Sequence, residues 1–244
     1  MNLEEYQAIQ PNLKFENLTF LTPNTHCAWR VDSLETKEPD TMAWLRSMHA
    51  GEILFDIGSN MGQYALIAAS RGLTVHAFEP ESQNFALLCR NIATNNMGAS
   101  VTPWPLALSD EPSIDLFHVQ NLLVGGSCSS YGEEVNFHLQ PKKYAFHQGC
   151  MAYTMDDFSD HYGFPTHIKI DVDGFEHKVL AGAGACLTVC KTCLVELNTA
   201  LPEHMRIYEI MEDHGLFPDV ETANVARRKE GSFAGIGNVI FYRK

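Results

Sequence analysis

Phe55-Asp56-Ile57-Gly58-Ser59-Asn60-Met61-Gly62 decides the reading of this 244-residue chain. The apolar run Ile53–Ile57 leads into it, and Tyr64–Arg71 leaves it with helical spacing closed by Gly72. A strand that turns through glycines into a helix places a ligand beyond the carboxyl end of an open sheet. Gly58 lets backbone and ligand approach closely, Gly62 lets the helix pack tightly, and Asn60 tolerates a left-handed turn. A dinucleotide fingerprint wants glycine at relative positions one, three and six. Here those positions hold Gly58, Asn60 and Gln63, so a nicotinamide oxidoreductase fits poorly.

Two carboxylates define the ligand further. Asp56 precedes the turn, where a pyrophosphate would gain nothing from it but an amino or sulfonium group would. Glu79 ends the next strand, Thr74–Phe78, and lies 21 residues beyond Gly58. A carboxylate there can accept both hydroxyls of a ribose. A ribose, a positive charge and no phosphate describe S-adenosylmethionine.

Outward from this turn, strands and helices alternate. Ser82 starts a helix with Phe85, Leu88, Cys89 and Ile92 on one face, and Val101–Leu108 reads as a third strand, irregular at Pro103 and Pro105. Ile114–Val119 alternates with period two, Thr154 caps a helix at Met155–His161, and His167–Val172 is a buried strand. Phe175–Ala183 is helical, Thr192–Leu197 a strand, Pro202 to Gly215 a helix, and Phe217–Val220 with Asn238–Tyr242 the last strand pair. Such alternation builds an α/β, doubly wound sheet with helices on both faces. Upstream, Leu18–Leu21 and Ala28–Val31 look strand-like, and Met42, Leu45 and Met48 mark a helix after Pro39. Residues 1–37 read as an N-terminal extension packed on a domain of residues 38–244. Within that domain, residues 120–150 interrupt the sheet order, include a flexible stretch from Gly125 to Gly132, and are expected to shape the acceptor pocket.

Composition narrows the partners. Thirty acidic residues against 17 basic ones give a net charge of −13, which repels a phosphate backbone, and no basic stripe offsets it, so no nucleic acid is expected. The first residues show no secretory pattern, and the apolar runs are far shorter than a membrane span. Seven cysteines, an odd number in mostly apolar surroundings, read as reduced thiols of a cytoplasmic protein.

Several motifs in order then resemble one family. Asp56–Gly62, Phe78-Glu79-Pro80 and Ile168-Lys169-Ile170-Asp171-Val172-Asp173-Gly174-Phe175-Glu176 resemble the signature of the FkbM-domain methyltransferases. Glu38-Pro39-Asp40-Thr41, Asn84–Leu88, Thr154-Met155-Asp156-Asp157 and Val195-Glu196-Leu197 match in the same order. Ser59 and Asp173 depart mildly from it, since many relatives have Ala and Glu there. The resemblance implies a class I methyltransferase-like sheet of seven strands, mostly parallel with the last antiparallel. It also implies methyl transfer from S-adenosylmethionine, leaving S-adenosylhomocysteine, usually to a hydroxyl of a small-molecule or saccharide acceptor. The cofactor-binding set it implies is Glu38, Asp56, Gly58, Ser59, Asn60, Gly62, Glu79, Pro80, Asn84, Ala107, Leu108 and Asp171.

Methyl transfer to a hydroxyl requires alignment and removal of a proton. Asp171 is the first candidate base, with Glu196 and His177 beside it; His118, His138 and His147 rank below His177. Asp171, Asp173, Glu176 and Glu196 have three readings: contact with the cofactor's methionine end and the acceptor, a divalent metal site joined by Asn198, or, for Asp173 and Glu176, capping of the next helix. No metal is assigned, and Lys169 is expected to balance the carboxylates. Cys186, Cys190 and Cys193 carry the C-x₃-C-x₂-C spacing of radical S-adenosylmethionine enzymes, an alternative chemistry. Their place, 51 residues from the end of the chain beside an apolar strand, favours buried thiols instead. A scaffold that binds the cofactor without catalysis is the other alternative.

Overall fold

The computed structural model describes residues 2–244. Its centre is a seven-stranded sheet: β1 (Ile53–Ile57), β2 (Thr74–Phe78), β3 (Val101–Trp104), β4 (His167–Ile170), β5 (Thr192–Asn198), β6 (Leu216–Pro218) and β7 (Ile236–Arg243). The spatial order is β3-β2-β1-β4-β5-β7-β6. All neighbours run parallel except β7, which lies antiparallel between β5 and β6. The expected doubly wound sheet, with its last strand reversed, is therefore present.

Period-two alternation feeds two cores. From β1, Leu54 points into an apolar cluster with Leu66 and Met42, whereas Phe55 and Ile57 point into another with Phe158, Ile168 and Val179. Helices Pro39–Ser47, Gln63–Ser70 and Ser82–Thr94 cover the first face, and Met155–Tyr162, Glu176–Ala181 and Ile207–Asp213 the second. Since β1 has β2 on one side and β4 on the other, the chain reverses its direction of winding there, and a crevice opens above β1 and β4.

Three local expectations change. Ala28–Val31 is not a strand but part of helix Thr25–Asp32: the Asn24 side chain accepts from Cys27 N (2.8 Å), and Cys27 and Val31, one turn apart, are both buried. The run Val101–Leu108 splits after Trp104, and Ala107–Leu108 joins a second, four-stranded sheet with Phe146–Tyr153, Ser113–Val119 and Ser130–Tyr131. Pro105, which has no N–H to continue the ladder, stands at the break. Phe146–Tyr153 escaped notice because Gly, Gln and Cys give it weak strand character, although Cys150 and Ala152 alternate inward. N-terminal residues Leu18, Phe20, Cys27 and Leu34 share the core of the first face. Among the described residues, no helix is long and apolar enough to cross a membrane.

The iron–sulfur alternative is overturned here. Cys186, Cys190 and Cys193 are fully buried in the apolar cluster of the second face of an open sheet. Burial pushes all three thiols up, Cys190 to about 11, which disfavours the thiolates a cluster needs.

Candidate active site

A cavity of about 460 Å³ lies above the carboxyl ends of β1, β2, β4 and β5. The glycine turn forms part of its floor. Gly58 has φ +80°, and a Cβ there would stand 1.9 Å from the Asp171 carbonyl oxygen. Its smallness therefore lets the exit of β1 press against the exit of β4, a different reason from the ligand approach expected. Gly62 behaves as expected, because a Cβ would meet Leu88 Cδ1 at 2.5 Å on the packed helix. Asn60 takes the left-handed conformation, with φ +52°. Its backbone N donates to Glu79 Oε2 (2.8 Å) and its side-chain amide to the Gly126 carbonyl (2.7 Å).

Glu79 lines the cavity and also accepts from Glu81 N (2.9 Å). Each of its oxygens thus holds one backbone N–H and keeps a second acceptor site. Burial raises its carboxyl to about 7. A strap of residues 124–128 crosses above. Asn24 Nδ2 donates to the Val124 carbonyl (2.9 Å), Arg30 Nε to the Gly125 carbonyl (2.6 Å), and Gly125 N to Asn84 Oδ1 (2.7 Å). At its far end Cys128 N donates to Asp173 Oδ2 (2.6 Å). Asn60 and Asn84, both foreseen at the site, hold this strap as well as the cavity wall.

Beneath the acidic side lies an ionic track on the first face of the sheet. The parallel register sets Lys169 of β4 beside Asp56 of β1. Lys169 Nζ stands 3.5 Å from Asp56 Oδ1 and 3.5 Å from Asp171 Oδ2, and 5.1 Å from the Tyr64 ring centroid. Burial would lower the lysine pKa, but Asp171, Asp56, Glu38 and Glu196 together raise it above the ordinary value. Asp56 is fully buried and off the cavity wall, so its counter-charge is Lys169 and not a ligand cation. Glu38 is also off the wall, accepting from Tyr64 Oη (2.9 Å) and Asn238 Nδ2 (3.0 Å). Burial opposes its ionisation, yet Lys37, Lys169 and Tyr64 hold its carboxyl at about 2. Ser59 turns inward, its Oγ donating to the Asp56 carbonyl (2.6 Å).

The exit loop of β4 separates two roles. Asp171 faces the cavity, with its side chain 28% exposed. Asp173, at φ +56°, also lines it and is raised to about 7, by burial and by Asp171. Glu176 instead reaches back to Val172 N (2.8 Å) and Gly174 N (3.0 Å), so it pins the exit loop of β4 and does not cap the next helix, whose N-cap Phe175 has no side-chain cap bond. Glu196 of β5 lines the cavity and pairs with Arg228 at 3.4 Å; burial and then Asp171 push its carboxyl well above the usual range.

Residues 56–216 match the methyltransferase FkbM domain. The chain belongs to the FkbM methyltransferase family. It is 24% identical over 178 residues to the hexuronic acid methyltransferase AglP of Haloferax volcanii, spanning 71% of this chain and 67% of that protein. It is 36% identical over 69 residues to the 31-O-demethyl-FK506 methyltransferase FkbM of Streptomyces tacrolimicus, which spans 28% of this chain and 26% of that protein. A solved S-adenosylmethionine-dependent methyltransferase from Agrobacterium tumefaciens shares the fold, with TM-score 0.52, 8% identity, and coverage of 96% of this chain and 70% of that one. This FkbM-family chain is thus an S-adenosylmethionine-dependent methyltransferase of class I fold.

Of the residues expected at its site, Gly58, Asn60, Glu79, Pro80, Asn84, Ala107, Leu108, Asp171 and Glu196 line the cavity. Glu38, Asp56, Ser59 and Gly62 stand behind that wall. His177 does not reach it: the ring lies against Phe175 and His204 (centroids 6.4 and 5.9 Å), and burial lowers its pKa. His138 bonds Asn198 Nδ2 (3.1 Å), and Asn198 Oδ1 accepts from Ala200 N (3.0 Å), in a small pocket that Asn198 shares with Asp173, Glu176 and Glu196. Sequence reading missed Trp29, Arg30, Tyr131, Arg228 and Phe233, all on the cavity wall. No sequence pattern singles them out; in the structure Trp29 is left 48% exposed on helix Thr25–Asp32 beside Arg30.

Proposed function

We propose that the protein transfers the methyl group of S-adenosylmethionine to a hydroxyl of a small-molecule or saccharide acceptor. The observation that carries the reading is Asp171, a carboxylate turned into the family's cavity while a buried lysine holds it from behind. The cofactor supplies a methyl carbon already activated by a sulfonium. Glu79 would accept the ribose hydroxyls through its free acceptor sites, and Pro80, Asn84, Ala107 and Leu108 would flank the adenine. Asp171 takes the acceptor's hydroxyl proton as the bond forms, with Glu196 as the second carboxylate beside the acceptor. Asp56 and Glu38 act at one remove, by fixing Lys169 and Tyr64.

The other wall supports a saccharide. Trp29 and Phe233 line it, the Phe233 ring being stacked on Phe137 (centroids 4.8 Å) with Arg228 5.1 Å from its centroid, and Ser127 and Ser129 add hydroxyls. A hexuronic acid, the acceptor class named for the Haloferax relative, suits a pocket that joins aromatic edges to a guanidinium. The net charge of −13 disfavours an RNA acceptor. Seven free cysteines suit a reducing cytoplasm. The test is incubation with labelled S-adenosylmethionine and a panel of uronic acids, neutral sugars and macrolide alcohols, read by mass spectrometry. Methylation of a hydroxyl in any of them is expected; methylation only of RNA or of an amine would replace this reading.

A further inference from the structure

Outside the cavity, the second sheet brings together two imidazoles and a carboxylate. His118 and His147 face each other across the antiparallel pair of Ser113–Val119 with Phe146–Tyr153. Their Nδ1 atoms are 2.9 Å apart, and Glu134 Oε1 lies 3.9 Å from His118 Nδ1 and 4.0 Å from His147 Nε2. One ligand atom from each residue can be chosen so that all lie within 4.8 Å of one another. None of the three lines the cavity; in the same sheet Phe117 and, on the neighbouring strand Ser130–Tyr131, Tyr131 do. We propose that His118, His147 and Glu134 form a site for a borderline divalent transition ion such as Zn²⁺.

The donor set selects the ion. Two imidazoles and one carboxylate suit zinc and its neighbours, whereas Mg²⁺ and Ca²⁺ prefer oxygen alone. A tetrahedral ion with bonds of 2.0–2.1 Å sets its ligand atoms about 3.3 Å apart. The imidazole pair therefore has to open by a few tenths of an ångström and the Glu134 carboxylate, 3.9 Å from His118 Nδ1 and nearer His147 Nε2 than Nδ1, to close by roughly half an ångström or more. His118 is 6% exposed and packs against the Tyr144 ring, which fixes one ligand before any ion arrives. Glu134 is held through its backbone, since its carbonyl accepts from Lys142 N (2.8 Å) and Tyr144 Oη donates to the neighbouring Val135 carbonyl (2.7 Å). Binding takes each Nδ1 lone pair, so both rings carry their proton on Nε2, and the proton now shared between the two Nδ1 atoms is released or moves there. Three protein ligands leave the fourth position to water. The ion would pin the loop of residues 132–144 to the sheet whose Phe117 and Tyr131 line the cavity.

The test uses untagged, chelator-treated protein titrated with Zn²⁺ by calorimetry, with thermal unfolding as a second readout. Wild type is expected to bind one equivalent and to unfold at a higher temperature with zinc. His147→Ala and Glu134→Gln change outward-facing groups, so both should keep the wild-type circular dichroism spectrum. Each should weaken the zinc affinity at least tenfold and lose the thermal shift. The proposal is overturned if wild type takes up no zinc, or if both variants bind it as tightly as wild type.

Discussion

Replacing Gly58 with alanine probes the contact that shapes the cavity floor. Two costs add. Holding a side chain at φ +80° costs about 1–2 kcal/mol. The new Cβ also stands 1.9 Å from the Asp171 carbonyl oxygen, and since that atom is backbone, β1 and β4 must part. Overpacking of this kind costs about 1–3 kcal/mol, for a total of roughly 2–5 kcal/mol. Gly51 is the natural control, with φ +86° but no atom within 4 Å of its missing Cβ, so Gly51→Ala reports the backbone cost alone. The gain from restricting the unfolded chain is the same in both variants and cancels. For a domain of this size 1 kcal/mol moves the midpoint by about 2–4 °C, so Gly58→Ala should unfold roughly 4–20 °C below wild type. Denaturant and thermal unfolding followed by circular dichroism would measure both variants. If Gly58→Ala proves no more destabilising than Gly51→Ala, the strands do not meet as described.

Glu79, raised to about 7, should make S-adenosylhomocysteine binding depend on pH. If only the ionised carboxylate takes the ribose, affinity at pH 6 should be about tenfold weaker than at pH 8, and Glu79→Gln should flatten that dependence. Calorimetry across pH checks it, and an unchanged slope in Glu79→Gln would remove the assignment. The contribution of Glu79 to the stability of the ligand-free protein should move the opposite way. It binds its proton more tightly folded, at about 7, than unfolded, so the share of stability it supplies falls as pH rises from about 4.5 to 7, and in thermal unfolding Glu79→Gln should lose less stability than wild type across that range. Lys169→Met should destabilise by about 3–5 kcal/mol, because Asp56 then stays buried without its counter-charge. Adding Asp56→Asn should recover a large part of that loss in thermal unfolding, and equal stability of single and double variants would refute the pairing.

The sheet was legible wherever the chain alternates apolar and polar residues between good punctuation, as from Ile53 to Ile92. Glu79 was legible because a short-range rule ties a strand end to the glycine turn before it. The role of Asp56 was not, since its partner Lys169 lies more than a hundred residues away, and only the parallel register of β1 with β4 joins them. Helix Thr25–Asp32 was misread because Ala28–Val31 is short and combines Trp29 with the β-branched Val31, and the cap at Asn24 decides it. His177 stood next to the right loop, but the helix that Glu176 begins turns its ring toward His204. The aromatic wall comes from Trp29, Tyr131 and Phe233, spread over some two hundred residues, and no local pattern announces such a gathering.

The most direct test of the account is to measure turnover and S-adenosylhomocysteine affinity together in Asp171→Asn. The change keeps the side chain's size and its place beside Lys169 but removes its capacity to take a proton. Turnover with the acceptor found by the labelled-donor screen should fall by about 10²-fold or more, while S-adenosylhomocysteine affinity stays within about threefold of wild type. A variant that keeps the wild-type rate would contradict the assignment of Asp171 as the group that accepts the hydroxyl proton.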